Sequence, residues 1–281
     1  MKNIKNFLNR YIPFSRAGIQ GFLSYKAQIF MWLIISFLEV LFVVFLYHTI
    51  YRNSNEGISS VINGFTFYEM VLYMITSFIF SFVVYQSETS WNIFQDIKEG
   101  TIVNTITKPV SYRLRHLFTC IGTTLIGLVV VLLPLTIIVY SIFIIFKFVE
   151  MNVVNFILNF MLFILFAIIA MVINDGISYT VGLLTFFTEH MFGLNLFRNS
   201  VQGFLSGQLL PLSYMGIFGV IFSFTPFAFM NSTPVLMIMG KMNFSSVFMF
   251  LGIGVLWIIV IEFFNHLLFS FCIKRVSVQG G

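Results

Sequence analysis

The side chains best placed to do chemistry are ionisable groups embedded in long apolar stretches: Glu39, Asp175, Arg198, Glu262 and His266. A charge in the hydrocarbon core of a bilayer is costly. Such groups commonly pair with one another or line the pathway of a substrate or a proton. Their residue types and surroundings therefore predict that these five side chains line a transport path or a gate.

Each of these residues also has a structural alternative. The Arg198 side chain can extend so that its charged head reaches the membrane interface. Glu262 and His266 lie four residues apart, so they can pair along one face of a helix. Asp175 lies beside Gly176 and can accept hydrogen bonds where a helix breaks. At the level of sequence these alternatives stay open.

Patterns typical of a catalytic or metal site are absent from the sequence. There is no GxxxxGK[ST] phosphate-binding loop, so this chain is not expected to bind or hydrolyse ATP. No catalytic residue, metal or cofactor is predicted for it. Cys120 and Cys272 are predicted to be reduced and structural. The four histidines lie in different segments without the spacing of metal ligands: His48, His116, His190 and His266.

The composition explains why these charges are embedded in apolar stretches. Hydrophobic residues make up 59% of the 281 residues and charged residues only 9%, whereas a soluble domain carries roughly 25% charged residues. Water is therefore not the main solvent of this chain. The net charge of +5 is explained by anionic lipid and membrane orientation. A nucleic-acid partner is not expected, because no soluble basic domain is present to bind one.

The apolar runs predict an all-α polytopic membrane protein, since a spanning helix needs about 20 mainly apolar residues. Pro134 should kink the third span. The fourth should be one long helix, tilted or broken near Asn174. The segment 211–244 is interrupted by proline and glycine and predicts an outer re-entrant hairpin. The six predicted spans are 27–50, 65–85, 117–143, 156–187, 190–210 and 245–271.

Basic residues predict the orientation of these spans. With six spans, only Arg52, Lys147 and Lys241 of the 15 basic residues fall in outer segments, and the other twelve fall on the inner side. Inner loops of membrane proteins are enriched in lysine and arginine. The pattern therefore predicts a multi-pass protein of the cell membrane with both termini in the cytosol. The polar start of the chain does not resemble a cleaved signal peptide, so the first span is expected to remain.

Two polar segments on the inner side are candidates for function. Residues 1–26 alternate basic and aromatic side chains, which is typical of an interfacial helix. This helix is either a simple anchor or an elbow that moves with the first span. The second segment, 86–116, is a loop that contains the stretch ETSWNIFQDIKEG at 88–100.

In that stretch Trp91, Phe94 and Ile97 recur at helical spacing, with Ile93 alongside, so a short amphipathic helix is predicted. It either lies on lipid or docks onto a cytosolic partner. Its acidic residues favour docking, because a helix on anionic lipid prefers basic residues. Gly100 is placed as the helix stop. The predicted docking residues are Trp91, Phe94, Asp96, Ile97, Glu99 and Gly100.

Two stretches match a known family pattern: IKEGTIVNTITKPV at 97–110, and FLSGQLLPL at 204–212 followed by TPF at 225–227 and TPV at 233–235. In these stretches the chain resembles the permease subunits of ABC-2-type exporters, and the resemblance covers nearly its whole length. A weaker match is TFFTE at 185–189 with Gly193 and Arg198. The chain departs from the family pattern at Gly216, where proline is common, and at Phe187, where tryptophan is common.

The resemblance implies that 1–281 is a single permease domain. The helix around Trp91 would couple to a separate P-loop ATPase, which binds the ATP and magnesium. Two permeases, identical or paired with a sister chain, would enclose a path lined mainly by the second and fifth spans. The Phe-rich composition suggests hydrophobic or amphipathic cargo, and membrane lipid is an expected partner. The outer hairpin would act as a lid that contains Pro211, Pro226 and Pro234.

Two other functions stay open. A proton-driven carrier could use Glu39, Asp175 and Glu262, although no internal repeat typical of many such carriers is visible. An integral membrane enzyme acting on lipid would need converging polar groups, for which only Glu262 and His266 give a hint.

Overall fold

The computed structural model describes residues 2–54, 57–103, 107–149, 152–188 and 190–275. These ranges are mostly helical, with turns and irregular connections between the helices, and contain no strand. The predicted loop 86–116 is described except for 104–106. The predicted single domain 1–281 also includes residues 1, 55–56, 150–151, 189 and 276–281, which lie outside these ranges. The helices are α1 (Lys2–Ser24), α2 (Lys26–Arg52), α3 (Phe67–Val84), α4 (Thr89–Lys98), α5 (Tyr112–Gly127), α6 (Leu133–Ile145), α7 (Val153–Leu184), α8 (Met191–Leu205), α9 (Ile217–Ser223), α10 (Pro226–Phe229), α11 (Ser232–Ile238) and α12 (Phe244–Cys272).

Five helical stretches in the described ranges are long and apolar enough to cross a membrane: Ile29–Arg52, Phe67–Lys98, Tyr112–Ile145, Val153–Leu184 and Phe244–Cys272. The all-α polytopic prediction is confirmed to this extent. The predicted span 190–210 corresponds to α8, which has 15 residues. At 1.5 Å per residue α8 is about 22 Å long, which is shorter than a hydrocarbon core of about 30 Å.

The sequence predicts a kink at Pro134 and a tilt or break near Asn174, and the structure differs at the two places. Pro134 lies in the first turn of α6 and follows the wide helical turn Leu128–Leu132. Proline lacks an N–H and its ring crowds the carbonyl four residues earlier, which explains the widened turn. By contrast, α7 runs unbroken through Asn174 and Asp175. Their polar groups bond to other segments, and Asn174 Nδ2 donates to the Val84 carbonyl at 2.9 Å.

The centre of the bundle is formed by α3 and α7. In the most apolar stretch of each span, 67% of residues are buried for Phe67–Lys98 but 0% for Ile29–Arg52 and 11% for Phe244–Cys272. Thus α2 and α12 lie at the periphery. Phe80 of α3 and Phe163 of α7 are both fully buried, and their ring centroids lie 5.3 Å apart.

At one end of the bundle α1 packs along α5. Gly18 of α1 lies against the backbone of Thr119, and Gly122 of α5 lies against the backbone of Ser15. A side chain at either glycine would collide with the opposing helix, so the two backbones can approach only because both residues are glycine. Ser15 Oγ also donates to the Phe118 carbonyl at 2.7 Å. The predicted interfacial segment is therefore a helix fastened to α5.

This contact predicts opposite effects for two substitutions on the same helix. Alanine favours a helix over glycine by about 1 kcal/mol, and Gly21 has open space around it, so Gly21→Ala should stabilise the protein. Gly18→Ala should destabilise it, since overpacking costs about 1–3 kcal/mol. Thermal unfolding of the detergent-solubilised protein measures both. Equal shifts for the two variants would contradict the close contact.

Candidate functional site

The helix α4 sits beneath the end of α7 and is attached to it by packing and by hydrogen bonds. Ile93 is fully buried, and a Cβ added at Gly182 of α7 would lie 2.8 Å from Ile93 Cδ1. Just before and within the first turn of α4, Ser87 Oγ and Thr89 Oγ1 both donate to Asp175 Oδ1, at 3.0 and 2.5 Å. The buried side of α4 is thus fixed to the centre of the bundle.

The opposite side of α4 is open. Trp91 is 45% exposed, and its ring lies 5.6 Å from that of half-buried Phe94. The Lys98 ammonium lies 5.9 Å from the centre of the Phe94 ring. Glu99 and Gly100 are exposed, and Gly100 adopts φ +71°, which suits a helix stop. An aromatic pair with flanking charges therefore projects from this end of the bundle.

Asp96 faces inward rather than toward this open side. Its carboxylate accepts hydrogen bonds from Tyr112 Oη at 2.9 Å and from Thr101 Oγ1 at 3.1 Å, and lies 3.6 Å from Arg115 Nη1. Ile97 is half-buried against the cluster that contains Tyr112. Of the predicted docking residues, Asp96 and Ile97 thus connect α4 to α5, while the others remain accessible.

Three of the spans meet at Arg113, in the first turn of α5. Arg113 Nη1 donates to Asp175 Oδ2 of α7 at 2.5 Å. Its Nε and Nη2 donate to the Glu262 carboxylate of α12 at 2.5–3.1 Å. The guanidinium carbon lies 4.9 Å from the centre of the Tyr179 ring. The Asp175 side chain is fully buried, while those of Arg113 and Glu262 are 14% and 32% exposed.

Arg113 falls in the predicted loop 86–116, and its role as a partner of Asp175 and Glu262 was not predicted. Glu262 pairs with Arg113 and not with His266, which is exposed one turn further along α12. A signal was available, because two acids in apolar helices require a positive partner. However, Arg113 lies 62 residues from Asp175 and 149 residues from Glu262 along the chain.

Arg198 makes a second connection to α4. Its Nη1 donates to Ser178 Oγ of α7 at 2.6 Å and to Ser90 Oγ of α4 at 3.5 Å. Ser90 Oγ in turn donates to Asn195 Oδ1 of α8 at 3.1 Å. Arg198 therefore bonds inward to polar groups, and α4 is joined to α8 as well as to α7.

A polar cavity of about 420 Å³ opens between α2, α3 and α8. It brings together Glu39 and Arg198, two of the five predicted path residues, while Asp175 and Glu262 meet at Arg113. Gln202 also lines it, and Gln202 Oε1 is buried without a hydrogen-bond partner in the described chain. The remaining polar lining residues are Ser36, Ser81, Tyr85, Gln86, Asn199 and Gln208.

The segment after α8 is seated on α3 by polar contacts. Asn231, fully buried, exchanges hydrogen bonds with Ser77 of α3, which donates to Asn231 Oδ1 at 2.8 Å. The Ser232 N–H donates to the Ser206 carbonyl at 2.9 Å. Trp257, 13 residues into α12, donates to the Phe224 carbonyl at 2.8 Å. Among the predicted lid residues, Pro211 and Pro234 are buried and Pro226 is half-buried.

Comparison with known proteins agrees with this architecture. The family model described as ABC-2 family transporter protein matches residues 33–280. The chain belongs to the ABC-2 transporter family. No curated protein and no solved structure matched the chain.

Membership of the ABC-2 family identifies the chain as a membrane component of an ABC transporter. Members of this family are transport components and typically work with an ATPase subunit. Among the described residues, no three His, Cys, Asp or Glu side chains are grouped so that they could hold a metal ion. The matched segment includes α4, Arg113 with its partners Asp175 and Glu262, and every lining residue except Trp32 of the cavity between α2, α3 and α8.

The Arg113 cluster, formed by Arg113, Asp175 and Glu262, predicts that a single variant loses more stability than a double variant. Arg113→Gln leaves two carboxylates without their partner inside the bundle, which costs about 3–5 kcal/mol. The thermal stability and yield of folded protein should fall sharply. Adding Asp175→Asn should restore part of the loss, because it removes one unpaired charge.

The control for this prediction is Arg16→Gln, which changes an exposed arginine on α1 and should have little effect. Fluorescence-detected size-exclusion chromatography after heating measures all three variants. If Arg113→Gln were as stable as the wild type, the Arg113 cluster would contribute nothing to folding.

Proposed function

We propose that this ABC-2 family protein is the permease of an exporter that moves hydrophobic or amphipathic cargo outward. A separate P-loop ATPase, carrying ATP and magnesium, would supply the energy. The observation that supports this most is the two-sided placement of α4. One side is fixed to α7 by Ile93 and Asp175, and the other presents Trp91 and Phe94.

A helix held in this way can transmit movement. The exposed Trp91 ring and the half-buried Phe94 ring would insert into a groove of the ATPase, because aromatic residues are enriched at interface centres. Because α4 is attached to α7 through Asp175 and to α8 through Ser90, displacement of α4 would pull on both helices. Asp96 and Ile97 would keep α4 rigid on α5 during this movement. The transport step would therefore follow from closure of the ATPase.

The cargo path would include the cavity between α2, α3 and α8. Its lining combines polar groups with the rings of Trp32, Phe78 and Phe82, which suits an amphipathic molecule. Glu39 is exposed on peripheral α2, and a charge left against lipid is costly. A second permease packed against this side would cover Glu39 and complete the path.

The protein would have a defined orientation in the membrane and a lid at its outer end. Both termini and α4 would lie in the cytosol of a cell membrane, as the distribution of basic residues predicts. The segment 211–244 would be the outer re-entrant hairpin. Its support is the contact between Phe224 and Trp257, well inside α12, together with the buried seat of Asn231. Movement of α3 against that seat would open or close the outer end.

The partner assignment is tested by affinity capture of the tagged full-length chain from native membranes, followed by mass spectrometry. We expect a stoichiometric P-loop ATPase with the wild type. Trp91→Ala combined with Phe94→Ala should reduce this recovery at least about tenfold, because each buried aromatic anchor contributes about 2 kcal/mol or more. The matched control is Phe248→Ala, which removes an exposed ring from α12.

Three outcomes separate the candidate functions. Loss of the ATPase only in the α4 variant supports the coupling role. Retention of the ATPase by that variant, with the protein folded, would refute the role of these rings. A partner-free oligomer whose transport needs a proton gradient but no ATP would support a proton-driven carrier instead.

The path assignment gives an independent prediction at Glu39. Glu39→Gln removes the charge from the cavity between α2, α3 and α8 but touches no residue of α4. Transport of cargo in vesicles should fall severalfold while recovery of the ATPase stays at the wild-type level. Unchanged transport would exclude Glu39 from the path, and joint loss of transport and ATPase would indicate misfolding.

A further inference from the structure

A second cavity, of about 520 Å³, opens at the end of the bundle where α4 lies. It is formed by the start of α5, by α7 and by α12, and it shares no lining residue with the cavity between α2, α3 and α8. The residues that matter for its chemistry are Arg113, Tyr179, Glu262, His266 and Phe269. We call it the α5–α12 cavity.

Within the ion-paired cluster at the α5–α12 cavity the charges do not balance, and the neighbouring Asp96–Arg115 pair adds no net charge. Arg113 on α5 supplies one positive charge, whereas Asp175 on α7 and Glu262 on α12 supply two negative charges. His266 is the other titratable group on this part of α12. Glu262 is 32% exposed, so its carboxylate can still reach a molecule in the cavity. A bound cation would offset the excess negative charge, and a bound anion would add to it.

The walls of the cavity are aromatic. The rings of Tyr112 and Phe269 are stacked with centroids 5.6 Å apart, and the Tyr179 ring lies 6.2–6.4 Å from both. Aromatic rings attract ammonium groups through the negative charge of their faces, and a carboxylate beside them adds a charge-assisted hydrogen bond. Tyr179 is 1% exposed, and its hydroxyl has no hydrogen-bond partner in the described chain. That oxygen is buried, so it can accept a hydrogen bond from an ammonium N–H once the neighbouring rings move to admit the head group.

The surroundings of the cavity indicate the chemical character of the part of the ligand that lies outside it. Glu262 lies ten residues before the end of α12 at Cys272, a distance of about 15 Å along the helix. Phe263 and Leu267, on α12 close to Glu262 and His266, are 64% and 51% exposed. A molecule whose head enters the cavity would therefore extend its remaining part along an apolar surface.

We propose that the α5–α12 cavity binds the ammonium head of an amphipathic amine, with Glu262 as counter-ion and the Tyr179 hydroxyl as hydrogen-bond acceptor. The apolar tail lies along α12. The amine is supplied either by an aminophospholipid of the bilayer or by a free amphipathic amine. Glu262 and Asp175 share Arg113 as their partner. A ligand bound to Glu262 would therefore also affect Asp175, which accepts the hydrogen bonds of Ser87 and Thr89 at the start of α4.

The proposal is tested by native mass spectrometry of the full-length chain in mild detergent, titrated with dodecylamine. Dodecanol, which has the same tail without a charge, is the control ligand. We expect saturable binding of dodecylamine and none of dodecanol. Tyr179→Phe should weaken amine binding about tenfold, the usual effect of losing a hydrogen bond to a charged group. The fold should be retained, since the deleted hydroxyl has no partner within the described chain.

Further variants separate binding in the cavity from partition into detergent. Glu262→Gln should abolish saturable binding of dodecylamine. Tyr68→Phe, which removes a hydroxyl near the start of α3 where Tyr68 stacks on Phe148, should bind as the wild type does. Equal binding by wild type and Tyr179→Phe, or equal binding of dodecylamine and dodecanol, would overturn the proposal.

The source of the amine is resolved by adding phosphatidylethanolamine or phosphatidylglycerol to the same samples. Selective retention of phosphatidylethanolamine, lost in Tyr179→Phe, identifies a lipid ligand. Binding of dodecylamine without either lipid identifies a free amphipathic amine. Retention of phosphatidylglycerol in preference to both amines would refute the charge argument. None of these measurements requires the ATPase, so they stand apart from the proposed export function.

Discussion

A carboxylate with no access to water determines how this end of the molecule is built. Asp175 lies nine residues before the end of the central helix α7 and is fully buried. A buried charge is tolerated only when it is paired and its remaining lone pairs accept hydrogen bonds. Arg113 provides the charge, and Ser87 and Thr89 provide the hydrogen bonds. The positions of α4 and α5 relative to α7 follow from this one requirement.

The same requirement connects the two surfaces on which the proposed activity depends. The guanidinium that neutralises Asp175 also holds Glu262, so α12 is bound into the arrangement. On the other flank, Arg198 bridges α7 and α8 through Ser178 and lies on the cavity between α2, α3 and α8. A displacement of α4 thus acts on polar contacts rather than on interchangeable apolar ones. Polar contacts have fixed partners and geometry, which makes the response of the bundle specific.

What the sequence could predict depended on the range of the interaction. Spans such as Val153–Leu184 follow from hydropathy, and α4 follows from the spacing of Trp91, Phe94 and Ile97, because both are local properties. Pairings across the bundle are not local. The role of Arg113 depends on contacts with residues far along the chain, and the inward turn of Asp96 depends on Tyr112. The short length of α8 was also missed, since composition alone does not distinguish a helix that ends early from one that continues.

The glycine contact between α1 and α5 also bears on how the protein is made. Gly18 and its partner Gly122 are separated by about a hundred residues, which a ribosome adds in roughly 5–20 s. During that interval α1 has no α5 to pack against. Because α1 is amphipathic, it can bind to the membrane surface during this interval. The contact between α1 and α5 forms only after α5 is inserted. The helix α1 is therefore synthesised well before the helix that holds it in place, and its contact with α5 can form before α6 to α12 are made.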